Sequence, residues 1–134
     1  MDIAERLRAA GLRPTRQRVA LARLLFEGCD RHVTAELLHE EAQSRKVPVS
    51  LATVYNTLHQ FTEAGLLREV AVEGAKTYFD TNTSNHYHFF CENSGELVDI
   101  ETASIRIEGL PQAPEGMAIG RVDVLVRLVA APKR

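Results

Sequence analysis

The sequence predicts an α+β chain in two parts: residues 1–79, helical and closed by a short hairpin, then a small α/β part over residues 80–134. Three observations predict it. Up to residue 65 the apolar residues recur at spacings of three and four, the mark of helices with one buried face. After residue 65 short β-type runs separated by glycine and polar turns take over. Between the two parts lies the polar stretch Asp-Thr-Asn-Thr-Ser-Asn, residues 80–85, which reads as a linker.

Residues 2–10 form the first predicted helix, with Ile3, Leu7 and Ala10 inward and Gly11 ending it. Pro14 and Thr15 open a second, through Phe26, with Val19, Ala22, Leu25 and Phe26 on its buried side. Gly28, Cys29 and Asp30 make a loop. Thr34 caps a third helix through Arg45, with Leu37, Leu38 and Ala42 inward. Pro48 stops it from running on.

The fourth helix is unusual. Ser50 caps it, Gly65 closes it, and Leu51, Val54, Leu58 and Phe61 make its apolar stripe. Its other face carries Ser50, Thr53, Asn56, Thr57 and Gln60, with Tyr55 at the edge and no charged residue from Ser50 to Thr62. A solvated helix face usually carries charge. An uncharged hydrogen-bonding face suits contact with base edges and phosphates. Helix, short turn and polar-faced helix are a helix-turn-helix arrangement. The run Leu66–Val72, the turn Glu73-Gly74-Ala75 and the return Lys76–Phe79 add a wing. The first part therefore reads as a winged helix-turn-helix.

Charge agrees with DNA as the partner. The whole chain is at −2, but residues 1–79 are net +1 and residues 80–134 net −3. From Arg6 to Arg31 seven arginines face only Glu27 and Asp30. Arg13, Arg16 and Arg18 cluster where the second helix starts, so basic side chains and free backbone N–H groups can meet a phosphate together. No apolar run is long enough to span a bilayer, the first residues are not a signal peptide, and two cysteines make no disulfide framework. A cytoplasmic protein with no membrane partner is expected.

In the second part, His86–Cys91 and Glu96–Ile100 are strand candidates, and Met117–Val129 alternates as a third. Pro111, Pro114 and Gly116 keep the stretch between irregular. So short a chain is not expected to bury a core alone, which makes this a dimerisation domain. His86 and His88, two apart on a strand, point to one face. Asp80 on the linker, Asp99 on the next strand and His32 in the loop before the third helix are further ligand candidates. Such a nitrogen and carboxylate set suits zinc, ferrous iron or manganese. Cys91 lacks a partner thiolate, because Ser94 stands where a Cys-x-x-Cys pair would place it.

The chain resembles the ferric uptake regulator family along nearly its whole length. The resemblance rests on Leu12-Arg13-Pro14-Thr15-Arg16-Gln17-Arg18, His32-Val33-Thr34-Ala35-Glu36, Ser50-Leu51-Ala52-Thr53-Val54-Tyr55-Asn56-Thr57-Leu58 and His86-Tyr87-His88-Phe89-Phe90-Cys91. Within the family it is most similar to the iron response regulators called Irr. The resemblance implies a homodimer on AT-rich palindromic operators, with Tyr55 and Arg16 on DNA. It implies a regulatory site at His32, Asp80, His86, His88 and Asp99. In the Irr branch it implies haem at the His86 and His88 region, with loss of DNA binding.

The departures carry expectations of their own. The family's structural zinc uses two Cys-x-x-Cys pairs, and only Cys91 remains, so no structural zinc is expected. A further family site falls at Asn85, Tyr87 and Arg106, a poor ligand set. Asp30 follows Cys29, so the Cys-Pro haem motif of some Irr proteins is missing.

The reading is a non-enzymatic DNA-binding regulator of iron and haem genes, with Arg13, Arg16, Ser50, Thr53, Tyr55 and Asn56 toward DNA. Metal is expected to promote operator binding and haem to oppose it. A peroxide sensor, in which bound ferrous iron oxidises a ligand histidine, is the alternative, and Asp80 in place of a glutamate favours that chemistry. A two-histidine, one-carboxylate metalloenzyme is a third possibility, but no proton shuttle or substrate pocket is visible in the sequence.

Overall fold

Each helix begins on a side chain that accepts one of its orphan backbone N–H groups. A computed structural model describes residues 2–72, 74 and 76–132, and its four helices are α1 (Ile3–Ala9), α2 (Arg16–Phe26), α3 (Ala35–Ser44) and α4 (Leu51–Glu63). Asp2, Thr15, Thr34 and Ser50 are their N-caps, accepting from Glu5, Arg18, Leu37 and Thr53. The chain divides into two compact units, Met1–Thr83 and Ser84–Arg134.

Three helices of the first unit end in the same device, with the N–H two positions past the cap returning to a carbonyl five residues back. Leu12 N–H bonds Leu7 O (2.9 Å), Val47 N–H bonds Ala42 O (2.8 Å) and Leu66 N–H bonds Phe61 O (2.9 Å). The motif requires a left-handed residue. Gly11 and Gly65 supply it at φ +82 and +81, as the sequence led us to expect, but after α3 it is Lys46, at φ +57. A side chain in that conformation costs about 1 kcal/mol or more. Lys46→Gly should therefore raise stability by up to about 1 kcal/mol, less what glycine loses to its freer unfolded chain. A urea unfolding midpoint unchanged or lowered would show that Lys46 carries no strain.

The core of the first unit is Leu7, Leu21, Leu25, Leu38, Val54, Leu58, Phe61 and Phe79 with smaller residues between them. The buried stripes of α3 and α4 differ from the expected ones in three residues. Leu37 and Leu51, expected inside, are 40% and 37% exposed, while Thr57, expected on the polar face, is buried. Leu38 already fills the face of α3 toward the core and leaves Leu37 beside it, while Leu51 shares the face of Leu58 but stands at the first position of α4. The hairpin consists of β2 (Arg68–Val70) and β3 (Tyr78–Asp80). Of its expected turn, Glu73 and Ala75 lie outside the described residues.

The hairpin belongs to a three-stranded sheet that the sequence did not disclose. The two-residue strand β1 (His32–Val33) pairs antiparallel with β3, giving the order β1-β3-β2. His32, expected in a loop, is thus on a strand. Asp80, expected on a linker, ends β3 opposite both His32 and Arg68. Two residues are too few to show alternation, so only the pairing partner reveals β1.

The second unit has β4 (Tyr87–Cys91), β5 (Glu96–Ile100), a single 3-10 turn at Thr102–Ser104 and β6 (Leu125–Leu128). β4 is central, antiparallel to β5 and parallel to β6. The β4–β5 connection is a tight turn, closed by Gly95 N–H on Cys91 O (2.7 Å). A parallel neighbour needs a long crossover, and the irregular stretch 105–124 provides it. β6 is much shorter than the strand expected over Met117–Val129. The unit leaves Val98, Leu110, Met117, Ile119 and Val129 exposed. The whole is an α+β fold, a winged helix-turn-helix followed by a small dimerisation domain, and no helix among the described residues is long and apolar enough to cross a membrane.

Candidate functional site

In the second unit, His86 and His88 reach the same face at the start of β4, and register sets His88 directly opposite Asp99 on β5. The Nε2 atoms of His86 and His88 lie 3.3 Å and 3.6 Å from Asp99 Oδ1. The two imidazole rings meet edge to face, their centroids 4.5 Å apart.

The tautomer of His86 follows from its other nitrogen. Nδ1 stands 2.7 Å from the carbonyl oxygen of Ser84. A carbonyl only accepts, so Nδ1 carries the hydrogen. In the neutral ring, Nε2 then presents a lone pair toward a carboxylate oxygen. Two acceptors at that distance need a positive charge between them, a proton or a metal ion. A histidine whose far nitrogen is fixed by a carbonyl is the usual arrangement of a metal ligand. Donors on an ion with bonds of about 2.1 Å stand about 3.0–3.4 Å apart. The His86–Asp99 distance falls in that range and the His88–Asp99 distance lies a few tenths of an ångström beyond it, so a first-row divalent ion fits them with a small shift of the His88 ring.

In the first unit, His32 and Asp80 make a second pair. His32 Nε2 lies 3.2 Å from Asp80 Oδ2. Asp80 is 1% exposed, and its Oδ1 accepts the backbone N–H of Asn82 at 2.9 Å. One oxygen is thus fixed by backbone while the other is turned to an imidazole. The sheet that creates this pair is held at its edge by Thr81, whose backbone N–H bonds Arg31 O and whose hydroxyl accepts the N–H of Arg31. Arg31 in turn is clamped bidentate by Glu41 of α3.

The predicted DNA face is carried by α2 and α4. Arg13, Arg16 and Asn56 are exposed, and Thr53 is half-buried. Ser50 is exposed, but its hydroxyl is already engaged, accepting from Thr53 N–H and donating to Thr53 Oγ1. Its first role is the cap. Arg18, half-buried, ties the two helices together, donating to Arg13 O and to Gln60 Oε1. Arg13, Thr15, Arg18, Thr53, Asn56 and Gln60 border one cleft of about 430 Å³.

Tyr55 is not free either. Its hydroxyl donates to Glu36 Oε1 at 3.0 Å. That bond to Glu36, with burial and the Glu36 charge adding to it, pushes the phenol pKa above its ordinary value. The sequence reading missed Glu36 because it stands nineteen positions from Tyr55, and no helical or strand period links residues that far apart.

Comparison with known proteins decides the family. The model of the ferric uptake regulator family matches residues 9–124. The chain belongs to the ferric uptake regulator family. Within this family, it is 37% identical over 107 residues to the peroxide-responsive repressor PerR of Staphylococcus aureus strain Mu50, covering 79% of this chain and 72% of that one. The ferric uptake regulator of Pseudomonas aeruginosa, solved with manganese, superposes with a TM-score of 0.75 at 26% identity, covering 98% of this chain and all of that one. The Campylobacter jejuni peroxide stress regulator shares the fold with a TM-score of 0.61 at 22% identity, covering 97% of this chain and 94% of that one. Members of the family are metal-responsive transcriptional regulators that bind DNA and act as dimers, and this chain is a metal-responsive regulator of that kind.

Proposed function

We propose that this family member is a metal-dependent repressor of iron-homeostasis genes, acting in the cytoplasm as a homodimer on AT-rich palindromic operators. We assign the ion to His86, His88 and Asp99 of the second unit, and keep the His32 and Asp80 pair of the first unit as a second candidate ligand pair. One observation carries the assignment: Ser84 O fixes the His86 tautomer so that Nε2 faces a carboxylate with a lone pair. The donors are nitrogen and oxygen, which suits iron, manganese or zinc. Haem at His86 or His88, the other effector that the resemblance implies, requires uncovering imidazoles that are 5% and 2% exposed. A bare ion needs no such opening.

On DNA we assign Arg13 and Arg16 to phosphates and Thr53, Tyr55 and Asn56 to the groove, with Ser50 setting the start of the reading helix. Metal binding shifts the balance between DNA-binding and non-binding forms only by its differential affinity for them. In a dimer the DNA-binding form is the one whose two reading helices meet half-sites about one DNA turn apart.

A second reading, peroxide sensing, is favoured by the 37% identity to a peroxide-responsive repressor and by two imidazoles packed against one carboxylate. Ferrous iron bound there would supply peroxide reduction beside oxidisable rings. One experiment tests both. Operator affinity is measured against added manganese and ferrous iron, with and without peroxide, and the peptide holding His86 and His88 is then weighed. The metal-dependent repressor binds operator tightly only with metal. Peroxide sensing adds loss of binding in the iron sample alone, with one oxygen gained on that peptide. Operator affinity indifferent to metal would overturn both readings.

A further inference from the structure

Glu36 stands in the first turn of α3, outside the metal-ligand sets and outside the residues assigned to DNA. Its carboxylate does two things at once. Oε1 takes the hydroxyl of Tyr55 on the reading helix at 3.0 Å. Oε2 lies 3.6 Å from Nζ of Lys76, on the hairpin. A carboxylate, with two acceptor oxygens and a negative charge, suits a phenol and an ammonium together. The Tyr55 ring is supported from its other side by the His59 ring, stacked with centroids 6.4 Å apart, and His59 rests edge-on against Phe79 of β3 at 5.6 Å. Tyr55 is therefore held at its hydroxyl by α3 and flanked at its ring by His59 of its own helix, which in turn meets the sheet.

A carboxylate here works against the general attraction for a polyanion. It repels phosphate and offsets the lysine. Its gain has to lie in orientation, which matters for sequence reading and not for backbone attraction.

We propose that Glu36 is the positioning residue of the DNA-reading face, fixing the Tyr55 side chain so that operator is distinguished from other DNA. This rests on the reading that α4 faces DNA.

The test uses the full chain with manganese, an operator duplex selected from a random pool and a scrambled duplex of equal length. The readout is the ratio of the two affinities. Removing the charge raises both affinities alike and cancels in the ratio, so the ratio reports orientation. Glu36→Ala should lower the ratio about 10-fold, as a weakened base contact does. Glu36→Gln keeps an oxygen for the Tyr55 hydroxyl and should hold the wild-type ratio. With Lys76 released, its salt slope should steepen by up to about one unit. A normal ratio in Glu36→Ala, or an equal loss in Glu36→Gln, overturns the proposal. Circular dichroism of both variants guards against misfolding, and if Glu36→Ala is poorly folded, Glu36→Met, which keeps the length and drops both acceptor oxygens, should show the same loss, a normal ratio there overturning the proposal. Tyr55→Ala separates the two levels. If it loses operator selectivity while Glu36→Ala keeps it, the positioning role fails and the DNA reading stands. If Tyr55→Ala binds operator like the wild type, the DNA reading itself fails and the proposal falls with it.

Discussion

Replacing His86 and His88 together by alanine is expected to abolish the metal response. Both side chains are buried with Nε2 directed at Asp99. Changing a partner that only orients a ligand typically weakens metal affinity by about 10–100-fold, so removing two ligands outright should exceed about 100-fold. Metal titration by calorimetry reads the first loss. Operator affinity with manganese, falling to its metal-free value, reads the second. Because two buried rings are deleted, a second variant protects the interpretation. Asp99→Asn keeps its shape, sits on a side chain that is 44% exposed, and should lose most of the metal affinity with little loss of stability. Wild-type metal affinity in both variants would move the ion elsewhere. Chelation, by contrast, is expected to leave the fold intact, because only Cys91 remains of the paired thiolates that a structural zinc would use.

Phe61→Ala should be the most destabilising single change in the reading helix, costing about 3–5 kcal/mol. Phe61 is completely buried and its ring lies 6.1 Å from that of Phe26 on α2. Its carbonyl also accepts the N–H of Leu66, where the chain leaves α4 for the hairpin. A cavity there loosens α2, α4 and the wing together. Whole small domains are stable by only about 5–15 kcal/mol, so much of the protein should be unfolded at modest denaturant. Urea unfolding followed by far-ultraviolet dichroism measures it. A loss under about 1 kcal/mol would mean that the neighbours collapse into the space. Thr57, one turn before Phe61 and also buried, would then be the next residue to examine.

The helices, their caps and the polar face of α4 were legible in the sequence because each depends on residues a few positions apart. Thr15, Thr34 and Ser50 cap as their positions require, and Gly11 and Gly65 close helices through the conformation glycine favours. The pair His86 and His88 was legible for the same reason, since a strand alternates every second residue. The family itself was legible, carried by a few dense motifs. What only the tertiary structure decided involves residues brought together over long stretches of chain. β1 exists because β3 pairs with it, and that pairing alone sets His32 beside Asp80, forty-eight positions on. Antiparallel pairing sets Asp99 against His88. The packing of α3 on α4 brings the Glu36 carboxylate to the Tyr55 hydroxyl. Local periodicity fixes which face of an element a residue occupies. Which other element lies against that face depends on how all the apolar faces are buried at once, and no spacing along the chain records it.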